Sequence, residues 1–316
     1  MLALHFDGAR ARMTDLPVPQ ATADTAVVRV SLAGVCNTDL ELVKGYMGFC
    51  GVLGHEFVGV VEDGPAPWRG QRVVSEINFA CGRCETCERG LERHCPARTV
   101  MGILGADGAF AEYVRVPVRN LHAIPDALGD ERAVFSEPLA AAFEILEQVT
   151  ITPGDECVVL GDGKLGLLVA QVLADAGARV LAVGHHPERL ARLARRGVTT
   201  ALAADWTPSP APLVIEATGR AATFALAVAA TRPRGTLVLK STYADHPQVD
   251  LAPVVINEIQ VLGSRCGPFS PAIDALGASR IHVDDLITDR VPLAQAATAL
   301  ERASERGALK ILIEVG

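Results

Sequence analysis

The chain has 316 residues, room for two domains at about 150 residues each. Hydrophobic residues make up 49% and charged residues 21%, which excludes a disordered chain. The net charge is −8, aromatics are only 4%, and no run of Lys or Arg forms a stripe, which argues against a nucleic-acid or anionic-membrane partner.

In chain order, the first third reads as all-β. Residues 25–33, 58–62 and 71–75 are short β-branched runs punctuated by Gly34, Gly64, Pro65, Pro67 and Gly70. At Pro138 the period changes, and the run to Gln148 reads as a helix of strong formers. From Glu156 strands and helices alternate. Strands are expected near 157–161, 179–184, 213–217, 235–239 and 258–263, with helices near 164–175 and 187–195. This alternation predicts a parallel sheet covered on both faces. Helices near 271–276 and 293–304 and a strand over 309–314 close the chain. The plan is therefore a β-rich first domain, an inserted parallel α/β domain, and a tail that rejoins the first.

The N-terminus lacks a basic segment followed by an apolar core, and the most apolar stretch, 165–174, is too short to span a bilayer. A cytoplasmic protein is the expectation. Eight cysteines stand at 36, 50, 81, 84, 87, 95, 157 and 266. Without a secretory signal, clustered cysteines read as metal ligands in a reducing compartment. Cys81, Cys84, Cys87 and Cys95 offer four thiolates within fifteen residues, with turns at Gly82 and Gly90. Four sulfurs suit tetrahedral zinc and leave no open position, so such a site is structural. An iron–sulfur cluster is the competing reading because Pro96 follows Cys95, but bacterial ferredoxins place three residues before the last cysteine rather than seven.

Gly161-Asp-Gly163-Lys164-Leu165-Gly166 lies between an expected strand and an expected helix. In that context the glycines allow a tight turn, let the backbone approach a pyrophosphate, and pack helix on strand. The phosphates would sit at the helix N-terminus. The second strand ends in Gly184-His185-His186 where an acid would read a ribose 2′-hydroxyl. Glycine makes room there, and His185, His186 and Arg189 offer contacts to a 2′-phosphate. NADP is therefore slightly favoured over NAD, and both remain open.

Three features coincide: Gly34-Val-Cys36-Asn-Thr38-Asp39, Gly54-His55-Glu56-Phe-Val-Gly59, and the four-cysteine lobe ahead of the dinucleotide loop. With residues 108–113, Glu137-Pro-Leu139 and the closing strand around Lys310, the chain resembles the zinc-dependent medium-chain dehydrogenases/reductases. The resemblance covers the whole chain and implies α/β plus β: a GroES-like β-barrel catalytic domain with an inserted Rossmann domain. The catalytic domain would span 1–137 with the zinc lobe at 81–95, the NAD(P)-binding domain 138–266, and the return 267–316. The resemblance also implies two zinc ions per chain and an active site in the cleft between the domains.

By the same resemblance, Cys36 and His55 would bind the catalytic zinc. Glu137 or Glu56 would be the third ligand; glutamate rather than cysteine at 137 is similar to the polyol and sugar branch. Taken alone, Glu137 reads as a carboxylate at a helix N-terminus. Thr38 would hydrogen-bond the substrate hydroxyl, and Glu41 stands where many alcohol dehydrogenases end a proton relay with histidine. Thr218 and Gly219 would lie near the nicotinamide ribose. Tyr46, Phe49 and Phe269 are pocket candidates, though core packing is the plainer reading of each. His5, His94, His122, His246 and His282 match no motif.

The implied function is hydride transfer between an alcohol, polyol or sugar hydroxyl and NAD(P)+. The alternatives are an NADPH-dependent aldehyde or ketone reductase of the same family and a catalytically silent dinucleotide-binding relative. Loss of Cys36, His55 or Glu137 would have pointed to the silent relative, and all three are present. The partners implied are a small-molecule substrate and a second copy of the chain, as a homodimer or homotetramer paired near residues 258–263, with neither nucleic acid nor membrane.

Overall fold

The computed structural model describes residues 1–242 and 248–316; His246 lies outside them. The chain divides into two compact units. The first comprises Met1–Glu137, Ala272–Ala278 and Val283–Gly316, and the second Pro138–Pro271 and Ser279–His282.

The first unit is built on a seven-stranded sheet. Its order is Leu121–Ala123, Arg72–Ser75, Glu56–Asp63, Thr25–Gly34, Lys310–Glu314 and Ile287–Pro292, and Tyr113–Pro117 also pairs with Thr25–Gly34. The central Thr25–Gly34 strand buries Ala26, Val27, Val28, Val30, Leu32 and Ala33 and turns Arg29 outward. Val58, Val61 and Ile313 on the adjacent strands, and Val73 on the next strand out, are buried as well. At about 1.5–3 kcal/mol for each large aliphatic side chain removed from water, this burial holds the sheet together. Registers Gly34↔Glu56 and Gly34↔Leu312 draw three strands to one point. Leu2–Phe6 and Ala11–Asp15 form a further hairpin, extended by Gly51–Val52. The all-β expectation for this third of the chain has two α-helical exceptions among the described residues, Asn37–Leu42 and Glu85–Glu88.

The second unit carries six parallel strands in the order Thr199–Leu202, Arg179–Gly184, Glu156–Leu160, Ala211–Glu216, Thr231–Leu239, Gln260–Gly263. In chain order that is 3-2-1-4-5-6, the doubly wound dinucleotide-binding arrangement, with its switch point between the first and fourth strands. Val158, Leu160, Val183, Val214, Phe224, Leu237 and Ile259 share one core cluster. The Lys164–Asp175 helix is buried from Gly166 through Leu173. Its one polar residue in that stretch, Gln171, donates to Leu167 O and His282 O and accepts from His282 N. Those bonds explain why 279–282 belong with this unit. The fifth strand begins at Thr231, earlier than the sequence suggests, because a register shift and a positive φ at Arg234 absorb Pro233.

Candidate active site and dinucleotide cavity

Cys36, His55 and Glu56 offer ligand atoms that all lie within 4.8 Å of one another. Cys36 stands at the N-terminus of the Asn37–Leu42 helix, its N–H donating to Asp39 Oδ2 at 2.8 Å. Thr38 Oγ1 lies 3.8 Å from Cys36 Sγ. His55 follows Gly54, whose φ of +96° no β-carbon would tolerate, since it would meet the Phe110 ring at 2.3 Å. Glu56 opens the Glu56–Asp63 strand, fully buried.

Gly34 sits opposite Glu56, and a β-carbon there would fall 2.6 Å from Glu56 Oε2. The same oxygen pairs with Lys310 Nζ, and both side chains are completely buried. Lys310 also donates to Val35 O at 3.4 Å and lies 5.3 Å from the centre of the Phe135 ring, within cation–π range.

His55 Nδ1 stands 3.2 Å from Asp39 Oδ1, out of hydrogen-bond alignment. Burial lowers the proton affinity of His55, but the Asp39 carboxylate, followed by Cys36, outweighs it and raises the imidazolium well above 6.5. Glu56 Oε1 is buried without a hydrogen-bond partner among the described residues. An orphaned carboxylate oxygen beside a thiol and an imidazole, in a field that already favours a cation on His55, fits Zn²⁺.

The structure brings Glu56, and not Glu137, into the 4.8 Å span. Glu137 lies in the first turn of the Ser136–Gln148 helix. Glu41 pairs with Lys44 at 2.8 Å on the surface. Phe49 and Phe269 are core residues at 4% exposure, and Tyr46 is half-buried.

The other cysteine cluster is also assembled. Cys81, Cys84, Cys87 and Cys95 place sulfurs at 3.5 Å (84–87), 3.6 Å (81–95), 3.8 Å (84–95) and 4.0 Å (81–87). All four are free thiols. Tetrahedral zinc with Zn–S of about 2.3 Å requires sulfurs about 3.8 Å apart. A four-iron cluster would hold four thiolates much farther apart, around a cube of iron and sulfide. The Arg83 N–H, helped by Cys95 and Cys84, draws the Cys81 thiol down to about 6. Burial pushes Cys87 up to about 11.

In the second unit a cavity of about 420 Å³ opens at the switch point. Gly161, Gly163, Gly184, His185, His186, Arg189 and Thr218 line it. Gly161 has φ of +118° and a β-carbon there would strike Ala217 O at 2.6 Å; at Gly166 it would strike Gly161 O at 2.1 Å. At Gly163, the N-cap of the Lys164–Asp175 helix, nothing lies within 4 Å, leaving the backbone open to a phosphate. Lys164, Leu165, Gly166 and Gly219 support this loop without lining the cavity.

One expectation changes. The space beside Gly184 is not open: a β-carbon there would fall 2.5 Å from the Asp162 side chain.

Sequence reasoning gave no site role to Asp39, Lys310, Asp162 or Arg220. Lys310 had a signal, a lone charge inside the apolar closing strand Leu309-Lys-Ile-Leu-Ile. A charge in such a run calls for a buried partner. Arg220 and Asp162 take meaning only from the cavity they line.

Residues 22–126 match the family described as Alcohol dehydrogenase GroES-like domain, and 165–277 that described as Zinc-binding dehydrogenase. The chain is 30% identical to the D-arabitol-phosphate dehydrogenase of Enterococcus avium, over 95% of this chain and 92% of that one. A zinc-binding dehydrogenase of Sinorhizobium meliloti 1021 bound to NADP superposes with a TM-score of 0.90 at 27% identity, covering 99% of both chains. A short chain alcohol dehydrogenase of Escherichia coli CFT073 complexed with NADH gives 0.91 at 26%, covering 100% of this chain and 99% of that one.

Proposed function

Since the chain belongs to the zinc-dependent medium-chain dehydrogenase/reductase family, we propose that it transfers hydride between a polyol hydroxyl and a nicotinamide dinucleotide. The observation that carries this reading is the convergence of Cys36, His55 and the orphaned Glu56 Oε1 in a chain that also builds a glycine-lined dinucleotide cavity. The polyol class is supported by relatives such as the D-arabitol-phosphate dehydrogenase and the sorbitol dehydrogenase of Bombyx mori.

In this reading Cys36, His55 and Glu56 hold the catalytic zinc, and Glu137 is the alternative carboxylate. Zinc, when bound, supplies a Lewis acid that lowers the pKa of the substrate hydroxyl toward neutrality. Lys310 fixes Glu56 through Oε2, so that Oε1 would be the oxygen left for a metal. Asp39 holds the Cys36 backbone through Oδ2 and puts its negative charge beside His55. Thr38 Oγ1, next to Cys36 Sγ, takes the hydroxyl proton and passes it outward. Glu41, engaged with Lys44 at the surface, receives protons only at the solvent end of such a relay. Cys81, Cys84, Cys87 and Cys95 hold the structural zinc.

The second unit cradles the dinucleotide. The N–H groups at the start of the Lys164–Asp175 helix would hold its pyrophosphate, Thr218 and Gly219 would serve the nicotinamide ribose, and Gly184, His185, His186 and Arg189 the adenosine end.

Two further readings complete the proposal. Eight free thiols, four of them clustered as soft ligands, support a reducing cytoplasmic compartment. No helix is long and apolar enough to cross a membrane among the described residues. A homodimer is supported by Gln260–Gly263, the outer edge of the six-stranded sheet, beside the exposed Leu251, Val255 (74%) and Ile256 (78%).

The test is nicotinamide absorbance across polyols, polyol phosphates and aldoses, with NAD⁺ and NADP⁺ in parallel. Turnover of a polyol, lost in Cys36→Ser while dinucleotide binding survives, is the expected result. Wild-type turnover in Cys36→Ser would remove the zinc site from the reaction.

A further inference from the structure

Asp162 lies between the first two glycines of the loop and is 6% exposed. Its Oδ2 accepts from the His185 N–H at 2.8 Å and from the His186 N–H at 2.6 Å. The His186 ring Nδ1 lies 3.0 Å from Oδ2 and 3.1 Å from Oδ1. One carboxylate from the glycine loop thus ties down the tip of the second strand.

Its position carries the argument. A β-carbon at Gly184 would sit 2.5 Å from Cβ, Cγ and Oδ2 of Asp162. The Asp162 carboxylate therefore fills the space into which an acidic side chain at 184 would grow. An acid at the tip of the second strand accepts a hydrogen bond from a ribose 2′-hydroxyl. Here strand two lacks the acid, and strand one's loop supplies it from the opposite side. Both groups line the same cavity.

From this geometry we propose that Asp162 is the residue that selects NAD(H) over NADP(H) in this chain. Oδ2 is committed to two backbone amides, whereas Oδ1 meets, among the described residues, the His186 ring alone and keeps a lone pair for a hydroxyl donor. A 2′-phosphate brings about −2 charge against a carboxylate held away from water, and no hydroxyl proton to donate. The His186 ring, which lines the same cavity, is already engaged with that carboxylate. Overall likeness does not choose between the nucleotides, because structural neighbours at 26% and 27% identity hold NADH and NADP respectively. The assignment rests on the reading of this cavity as the dinucleotide site.

The test titrates the zinc-loaded enzyme separately with NADH and NADPH, following nicotinamide fluorescence, so no substrate is needed. Wild type is expected to bind NADH at least tenfold more tightly. Asp162→Asn keeps the shape and an acceptor oxygen for the two amides but loses the charge. It is expected to narrow the preference at least tenfold, mainly by tightening NADPH. Arg189→Ala, which removes a cation lining the same cavity, is expected to weaken both dinucleotides alike and leave their ratio within twofold. Competition by ADP against 2′,5′-ADP on wild type gives the same reading without any variant, with ADP the tighter ligand.

Tighter NADPH than NADH, an unmoved ratio in Asp162→Asn, or a tenfold loss of NADPH alone in Arg189→Ala would overturn the assignment. Folded protein that binds neither dinucleotide would overturn the reading of the cavity, and the assignment with it.

Discussion

Replacing Lys310 by Met tests whether the Glu56 carboxylate is held by charge or by packing. Both members of the pair are completely buried, and Lys310 is also satisfied by Val35 O and the Phe135 face. Methionine has a similar length and no charge, so the cavity stays filled while Glu56 is left uncompensated. Breaking a buried ion pair from one side costs about 3–5 kcal/mol. For a unit of this size, at about 2–4 °C per kcal/mol, Tm falls by about 6–20 °C. Replacing both residues by Met removes the stranded charge and should return stability to within about 1 kcal/mol of wild type or above it. The assay is urea and thermal unfolding of wild type, both single variants and the double variant, each in the same metal state. A loss below about 1 kcal/mol in Lys310→Met would refute the reasoning, as would a double variant whose loss equals the two single losses added.

Three shorter predictions follow from other groups. Metal analysis of gently purified protein should give two zinc ions per chain, falling to one in Cys36→Ser and to one, with loss of stability, in Cys95→Ser; a single zinc in wild type would dismiss one of the two sites. Cys157 is pushed up to about 12 by burial and then by Asp155, so iodoacetamide at pH 8 should spare it in the folded protein while modifying the exposed Cys50. Asp289 is lowered below 3.8, first by the Arg302 side chain and then by the Arg290 N–H. A depressed carboxylate contributes stability above its unfolded value, and that contribution disappears as pH falls through the folded value. Asp289→Asn should therefore lower Tm at pH 7, and the difference from wild type should shrink as pH falls through the depressed value of the folded carboxyl.

Much of the architecture was legible because it is encoded at short range. The glycine loop advertises itself by spacing, and the geometry at Gly161, Gly163 and Gly166 agrees with the three jobs the spacing implies. The four-cysteine lobe was equally plain, because fifteen residues with two turns bring the thiols together. The strand alternation after Glu156 announced a parallel sheet, since strands buried on both faces read as unbroken apolar runs. The short strands Thr199–Leu202 and Ile287–Pro292 were not legible, because their identity comes from the neighbour they pair with.

What the amino-acid sequence determined by itself was therefore local: the phosphate loop, the thiolate lobe, and the kinds of donor available at 36, 55, 56 and 137. Tertiary structure decided which donors meet. It put Glu56 rather than Glu137 within reach of Cys36 and His55, because Gly34 and Glu56 are register partners on adjacent strands. It gave Glu56 a counter-ion 254 residues away, where the closing strand joins the same sheet. It also replaced the open space inferred at Gly184 with the Asp162 carboxylate, which turns a slight expectation of NADP into a proposal for NAD. A residue's type and spacing state what it can bond. Sheet register and loop packing bring distant residues into contact, and the free energy of a buried carboxylate depends on that contact.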